Sequence, residues 1–288
     1  MSGAIPVRKV VRMILILICV WIAWMIIVWM VQHSIMFPRG TIGPDRLLKH
    51  VPEGIESLWL DTDNGKRVEA WLIPGEGASA DKPGPAVVFA HGNGEVIDDN
   101  LDLRWLADLG ATVLLVEYRG YGRSSGAPSQ RKLVDDTSRF VELLKSRPEV
   151  DPDRVAYLGR SIGTGVLAQV ARDHVPTAMI MLVPPARLDK MAWRFGVPPF
   201  LVRSPFRSDL AVRDLDAPIL ILARDRDGII PSNHAGMLHE ASPRSELIML
   251  NGTHNWLDDD DEMRRERNAM HSFLLKHGIL EAQTTAQP

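Results

Sequence analysis

Cysteine is almost missing from this sequence. Its single copy, Cys19, lies inside an apolar N-terminal run. The chain beyond that run therefore has no disulfide framework, no thiol nucleophile and no cysteine metal site. An excess of one charge sign is missing too: 33 Lys+Arg against 36 Asp+Glu leave a net charge of −3. The signs are interspersed with no basic stripe, which argues against nucleic acid as a partner. There is no H-E-x-x-H pair and no Walker-type phosphate loop, and Gly120-x-Gly122 lacks the third glycine at dinucleotide-binding spacing. The acidic run from Asp258 to Glu262 leads into a helical pattern carrying Arg264 and Arg265. Acids in a first turn complement the helix dipole, so no metal site is expected there. No internal repeat is found.

What is present is an ordinary globular composition, 45% hydrophobic and 24% charged over 288 residues. That is enough for one large α/β domain, or at most two small ones. Ahead of it, Met13 to Val31 contains no charged or strongly polar side chain. As a helix the run spans roughly 28 Å, close to the hydrocarbon thickness of a bilayer. Arg8, Lys9 and Arg12 precede it, and Trp29 stands where an interfacial aromatic would anchor its far end. A cleavable signal would have a shorter apolar region and a small-x-small site. The expectation is an uncleaved anchor with its N-terminus in the cytoplasm and the following domain periplasmic or extracytoplasmic. Arg39, Arg46 and Lys49 on the far side weigh against that orientation.

The pattern then predicts two strands, at 57–60 and 67–73, joined through Asp63-Asn64-Gly65, where Asn-Gly tolerates positive φ. From Ala86 the rhythm becomes strand, turn, helix. Strands are expected at 86–90, 112–116, 155–158, 179–183, 219–223 and 247–250. Helices are expected at 101–109, 133–144, 162–171 and 262–276. Short apolar strands alternating with helices imply a mostly parallel sheet covered on both faces. Between Pro184 and Pro218 the rhythm breaks into a stretch with Trp193, Phe195, Pro198-Pro199-Phe200 and several arginines, read as a small cap over the active-site face. The expected layout is a basic segment at 1–12, a transmembrane anchor at 13–31, a juxtamembrane segment at 32–54, an α/β domain at 55–280 with its cap at about 184–217, and a disordered tail at 281–288.

The chemistry centres on Gly159-Arg160-Ser161-Ile162-Gly163, a G-x-S-x-G pentapeptide at the end of an apolar strand. Such a sharp strand-to-helix turn holds the serine in a strained conformation and lifts its oxygen clear of the sheet. A side chain at Gly159 or Gly163 would crowd the neighbouring strand or helix. An activated serine needs a base, an orienting acid and oxyanion donors. Asp227, just past a strand end, is the candidate acid, with Asp225 two residues earlier as the alternative. His254, after the last strand, is the candidate base, and it completes the chain order Ser, Asp, His. His91-Gly92-Asn93-Gly94 ends an earlier strand, where glycines let the backbone approach a reacting carbonyl. The amides of Asn93 and Ile162 are the candidate oxyanion donors, and His91 is read as structural.

With H-G-N-G at 91–94, E-Y-R-G-Y-G-R-S at 117–124 and the elbow around Ser161, the chain resembles the α/β-hydrolase superfamily over roughly Leu58 to Lys276. It is most similar to N-terminally membrane-anchored α/β-hydrolase-domain proteins and their serine-aminopeptidase-like relatives, in which a segment like Gln32-Ser34-Phe37-Pro38 often follows the anchor. Glu117 stands where such relatives commonly carry aspartate, and Thr164 where a smaller residue is frequent. The resemblance implies the α/β-hydrolase fold: an eight-stranded sheet with one antiparallel strand. It also implies a Ser–Asp–His triad, no cofactor, and hydrolysis of an ester, thioester or amide. The expected function is a membrane-anchored serine hydrolase acting on an acyl or lipid-like small molecule. A non-catalytic membrane-tethered scaffold is the alternative. An aminopeptidase that holds its substrate amine on Asp189 or Asp209 comes third.

Overall fold

A computed structural model describes residues 6–193 and 196–281. Residues 1–5 of the basic segment, Arg194 and Phe195 of the cap and 282–288 of the tail lie outside the described residues. The first element, α1 (Val7–Met36), is a 30-residue helix, long and apolar enough to cross a membrane. It continues past Val31, where the apolar run stops, because the polar side chains of its last turn find partners on the domain. The Gln32 amide donates to the Leu201 carbonyl at 3.1 Å and accepts from the Arg203 amide at 2.9 Å. His33 Nε2 donates to the Pro128 carbonyl at 2.7 Å. Pro38 disfavours helical geometry at the residue before it, and Phe37 leaves the helix with φ −125° and ψ 77°. Its ring is 2% exposed in the core, so the chain leaving α1 is docked on the domain from its first residue.

Eight strands follow: β1 (Glu56–Asp61), β2 (Arg67–Ile73), β3 (Gly84–Ala90), β4 (Thr112–Val116), β5 (Val150–Arg160), β6 (Ala178–Leu182), β7 (Ile219–Arg224) and β8 (Ser245–Leu250). They form one sheet in the order β1-β2-β4-β3-β5-β6-β7-β8. Only β2 runs against its neighbours; every contact from β4 to β8 is parallel. This is the expected eight-stranded α/β-hydrolase sheet with one antiparallel strand.

The remaining helices are α2 (Arg104–Asp108), α3 (Gln130–Lys145), α4 (Ile162–Val170), α5 (Leu188–Trp193), α6 (Ser208–Arg213), α7 (Asn233–Ala241) and α8 (Asp260–Lys276). Successive strand residues point to opposite faces, and the two faces bury separate apolar layers. Val88, Leu114, Tyr157 and Met179 pack with Phe140 of α3, Leu167 of α4, Val212 of α6 and Leu238 of α7. Val87, Phe89, Leu115, Leu158 and Ile180 pack with Leu106 of α2 and Phe273 and Leu274 of α8. The 101–109 helix is shorter than expected, because Ile97–Leu103 forms 3-10 turns before α2 begins. The short helices α5, α6 and α7 have too little apolar period to be read from sequence. All loops that carry candidate chemistry leave the C-terminal ends of β3, β5, β7 and β8, the edge where parallel sheets gather functional groups.

Candidate active site

Ser161 occupies the turn between β5 and α4 with φ 52° and ψ −121°, a left-handed conformation rare for a residue with a Cβ. Two contacts hold it there. Its amide donates to the Leu182 carbonyl at 2.8 Å, and its own carbonyl accepts the Thr164 hydroxyl at 2.7 Å. Thr164 is thus part of the elbow: its buried hydroxyl satisfies a carbonyl that a smaller residue would leave to the backbone alone. A Cβ at Gly163 would stand 2.0 Å from the Ala90 carbonyl oxygen, and one at Gly159 would stand 2.7 Å from the Thr164 backbone. Both glycines are therefore required by close approach to β3 and α4.

The Ser161 hydroxyl lies 3.0 Å from His254 Nε2, and His254 Nδ1 lies 2.6 Å from Asp227 Oδ2. The carboxylate demands the tautomer with its proton on Nδ1, which leaves Nε2 as an acceptor for the hydroxyl. Asp227 is held by two amides of its own loop, Ile229 at 2.9 Å and Ile230 at 2.7 Å, both on Oδ1. Oδ2 is left for the imidazole. Its side chain is 2% exposed, so the pair works in a largely dry site.

Asp225 does something else. Its Oδ1 accepts the Gly252 amide at 2.9 Å, and this backbone bond, with help from Arg226, holds the exposed carboxyl below its ordinary pKa. It ties the acid loop to the base loop but does not reach His254. Between the two aspartates left open by the sequence, the structure brings Asp227 to the histidine.

His91, at the end of β3, has both ring nitrogens occupied: Nδ1 meets the Gly92 carbonyl and Nε2 meets Glu117 Oε1, each at 2.7 Å. The ring is fully buried. Burial opposes its charged form, but the Glu117 carboxylate outweighs that, and the pKa is raised. Glu117 also accepts the Tyr118 and Ile97 amides, and the Tyr118 hydroxyl donates to the His91 carbonyl at 2.7 Å. Farther along, Arg123 bridges Glu69 at 2.8 Å and Asp98 at 2.9 Å. The 117–124 segment is therefore the brace of the His91–Gly94 turn. The longer glutamate at 117 reaches both the ring and the two amides.

That turn carries Asn93. Among the described residues, no backbone hydrogen bond of the surrounding turns engages the Asn93 or the Ile162 amide. Gly92 packs close to Ser161; a Cβ there would stand 3.7 Å from Ser161 Cβ. Sequence reasoning missed one pair at this site. Glu95 Oε1 faces Arg160 Nε at 3.2 Å, Glu95 Oε2 accepts the Gly92 amide, and Arg160 donates to the Asn255 carbonyl. The pair links the turn after β3, the elbow and the base loop. Its signal, the variable position of the elbow and the residue after H-G-N-G, is split across 65 positions and invisible without the fold.

The two acids proposed for a substrate amine are already partnered. Asp189 faces Arg187 at 2.6 Å and Asp209 faces Arg207 at 2.9 Å. Burial alone would raise the Asp189 pKa, but the Arg187 guanidinium outweighs it and lowers it. The acids before α8 are likewise engaged: Asp259 caps the Glu262 amide at 2.9 Å, and Glu262 accepts from Asn251. Among the described residues no cluster of metal-ligating side chains occurs.

A family profile described as "Serine aminopeptidase, S33" matches residues 81–206, which cover the turn after β3, the elbow and the stretch after β6 as far as Phe206. The uncharacterized protein Rv2307c of Mycobacterium tuberculosis is 28% identical over 263 residues, 88% of this chain and 90% of that one. The uncharacterized protein YfhR of Escherichia coli O157:H7 is 27% identical over 286 residues, 94% of this chain and 97% of that one. Among solved structures, esterase 2 of Thermogutta terrifontis, phosphoramylated by tabun, superposes with a TM-score of 0.64 at 17% identity, covering 82% of this chain and 100% of that one.

Proposed function

We propose that this chain, a member of the α/β-hydrolase superfamily, is a membrane-anchored serine hydrolase that cleaves carboxylic esters or thioesters of acyl, lipid-like substrates. The observation that carries the reading is the unbroken hydrogen-bonded order Ser161–His254–Asp227, with the serine in a strained turn. In this reading Ser161 Oγ attacks the substrate carbonyl while His254 Nε2 takes its proton. Asp227 keeps the ring in the receptive tautomer and stabilises the imidazolium. Negative charge moves to the carbonyl oxygen, where the Asn93 and Ile162 amides receive it at the N-terminus of α4. The tetrahedral species collapses as His254 returns the proton to the leaving alcohol or thiol, leaving an acyl-Ser161 ester. Water then repeats the cycle: His254 removes its proton, the oxygen attacks the acyl carbon, and Ser161 leaves with the proton as the acid is released.

The anchor is the 19-residue apolar run within α1, with the N-terminus in the cytoplasm and the catalytic domain outside it. A peptidase reading takes its support from the description of the matching family profile. It is the weaker one, because Asp189 and Asp209 are committed to arginines and offer no free carboxylate to an amine.

The test is fluorophosphonate labelling of the chain beside its Ser161→Ala variant, with turnover of p-nitrophenyl acetate, butyrate and octanoate. Labelling abolished by the substitution, with turnover rising toward octanoate, supports the reading. A folded chain that neither labels nor turns over any ester would move the protein to the scaffold class.

A further inference from the structure

The end of α1 is fastened to the same edge of the sheet as the triad. Gln32 pairs with Leu201 and Arg203 after β6, His33 with Pro128 after β4, and the Met36 carbonyl accepts the Asn93 side chain after β3 at 3.1 Å. Trp29 lies under the Arg203 guanidinium, 5.2 Å from ring centre to cation. Since the apolar run ends at Val31, the first contact with the domain falls within one helical turn, about 5 Å, of the run's end. Contact also reaches back to Trp29, two residues inside the apolar run, through the Arg203 guanidinium.

The domain surface agrees with this placement. Beyond α1, the four most exposed large apolar side chains among the described residues are Phe200 at 83%, Trp256 at 77%, Trp193 at 63% and Ile229 at 53%. Single exposed apolar residues are ordinary on any protein. These four are not scattered: Trp193 and Phe200 follow β6, Ile229 follows β7 and Trp256 follows β8. Phe200 adjoins Leu201, whose carbonyl is bonded to Gln32, so this rim is continuous with α1. Aromatic side chains at such a level favour the membrane–water interface.

We propose that the C-terminal edge of the sheet seats on the bilayer interface, with Trp193, Phe200, Ile229 and Trp256 inserted among the lipids around α1. Ser161 then draws its acyl ester from the bilayer rather than from bulk water. The proposal rests on the anchor and hydrolase readings above. The occupant of the rim is lipid, because the rim continues the surface of a helix whose own exposed face requires lipid.

The experiment uses the full chain with Cys19→Ser, reconstituted in vesicles of phosphatidylethanolamine and phosphatidylglycerol. An environment-sensitive fluorophore is placed in turn at Phe200→Cys, Trp256→Cys and Val175→Cys. Val175 is a half-exposed residue just before β6, at the opposite edge of the sheet. The first two probes should shift to the blue and lose most of their emission to lipids brominated on the acyl chain, while the third should do neither. Equal quenching at all three, or none at Phe200→Cys and Trp256→Cys, overturns the seating. So does shielding that depends on protein density and not on brominated lipid, which would mark a protein–protein face. Alongside, Phe200→Ser should slow hydrolysis of a long-chain ester embedded in the vesicles severalfold and leave p-nitrophenyl acetate turnover unchanged; equal loss on both substrates overturns the claim about substrate supply. Probe depth does not depend on turnover. Seated probes with no fluorophosphonate labelling of Ser161 would therefore sink the hydrolase reading alone.

Discussion

Two imidazole–carboxylate pairs stand at the same edge of this sheet, one in the turn after β3 and one in the loop after β8. His91 meets Glu117 at 2.7 Å, and His254 meets Asp227 at 2.6 Å. Each carboxylate is also anchored by backbone amides. What separates them is the second ring nitrogen. In His91 it is spent on the Gly92 carbonyl one residue away, and the ring is sealed beneath Tyr118 and Tyr121. In His254 it faces the hydroxyl of Ser161. A carboxylate-bound histidine is therefore not itself a mark of catalysis. The partner of the free nitrogen and access to a reacting atom decide the role.

The comparison predicts a graded series. Ser161→Ala should lower kcat by roughly 10⁴-fold or more and remove fluorophosphonate labelling without loss of the folded domain, since the strained turn loses only its nucleophile. Next, Asp227→Asn should cost on the order of 10⁴-fold in kcat, because an amide favours the wrong imidazole tautomer. Asp225→Asn, whose residue only fastens Gly252, should stay within about tenfold. The reverse ranking, read from steady-state kinetics, would refute the assignment of the acid.

The third prediction concerns the sealed pair. Glu117→Gln should destabilise the fold by about 1–3 kcal/mol in denaturant titration, with the kcat of the folded fraction much less affected. Its sign with pH follows from the raised His91 pKa. A histidine raised in the folded state contributes stability that is full below its unfolded value of about 6.5 and is lost as pH rises through the folded value. The gap between wild type and Glu117→Gln should thus be widest at mildly acid pH and narrow toward alkaline pH. A gap that stayed constant from acid to alkaline pH would mean that His91 is buried neutral. The smallest effect is expected at Asn93→Ala. It removes the side-chain bond to the Met36 carbonyl, worth about 0.5–1.5 kcal/mol, and keeps the backbone N–H proposed for the oxyanion. A thermal shift of a few degrees with kcat within about tenfold would fit; a loss as large as that of Ser161→Ala would place the side chain itself in the chemistry.

Much of this edge is legible in residue identity alone. The elbow announced itself because a tight turn against β3 and α4 tolerates only glycine at 159 and 163, and such steric demands are written directly in residue identity. The strands from β3 to β8 were readable as short apolar runs, because a sheet covered on both faces needs apolar residues at every position. The helices α5, α6 and α7 were not, since six to nine residues are too few to display a period. The docking of the end of α1 is illegible for a related reason: nothing local in Gln32 and His33 names Leu201, Arg203 and Pro128 as their partners.

By itself, then, the amino-acid sequence determined the local features: an apolar run long enough for a bilayer, a turn that only glycines permit, and a serine, an aspartate and a histidine each placed after a strand. Tertiary structure alone decided the partnerships. It chose Asp227 over Asp225 for His254, gave His91 to Glu117, linked Glu95 to Arg160, and set the end of α1 beside the loop that carries Asn93. The physical reason is one of range. Backbone sterics and burial act over a few neighbouring residues, whereas a hydrogen bond between Ser161 and His254 spans 93 positions and exists only once the parallel strands have brought their ends to one edge.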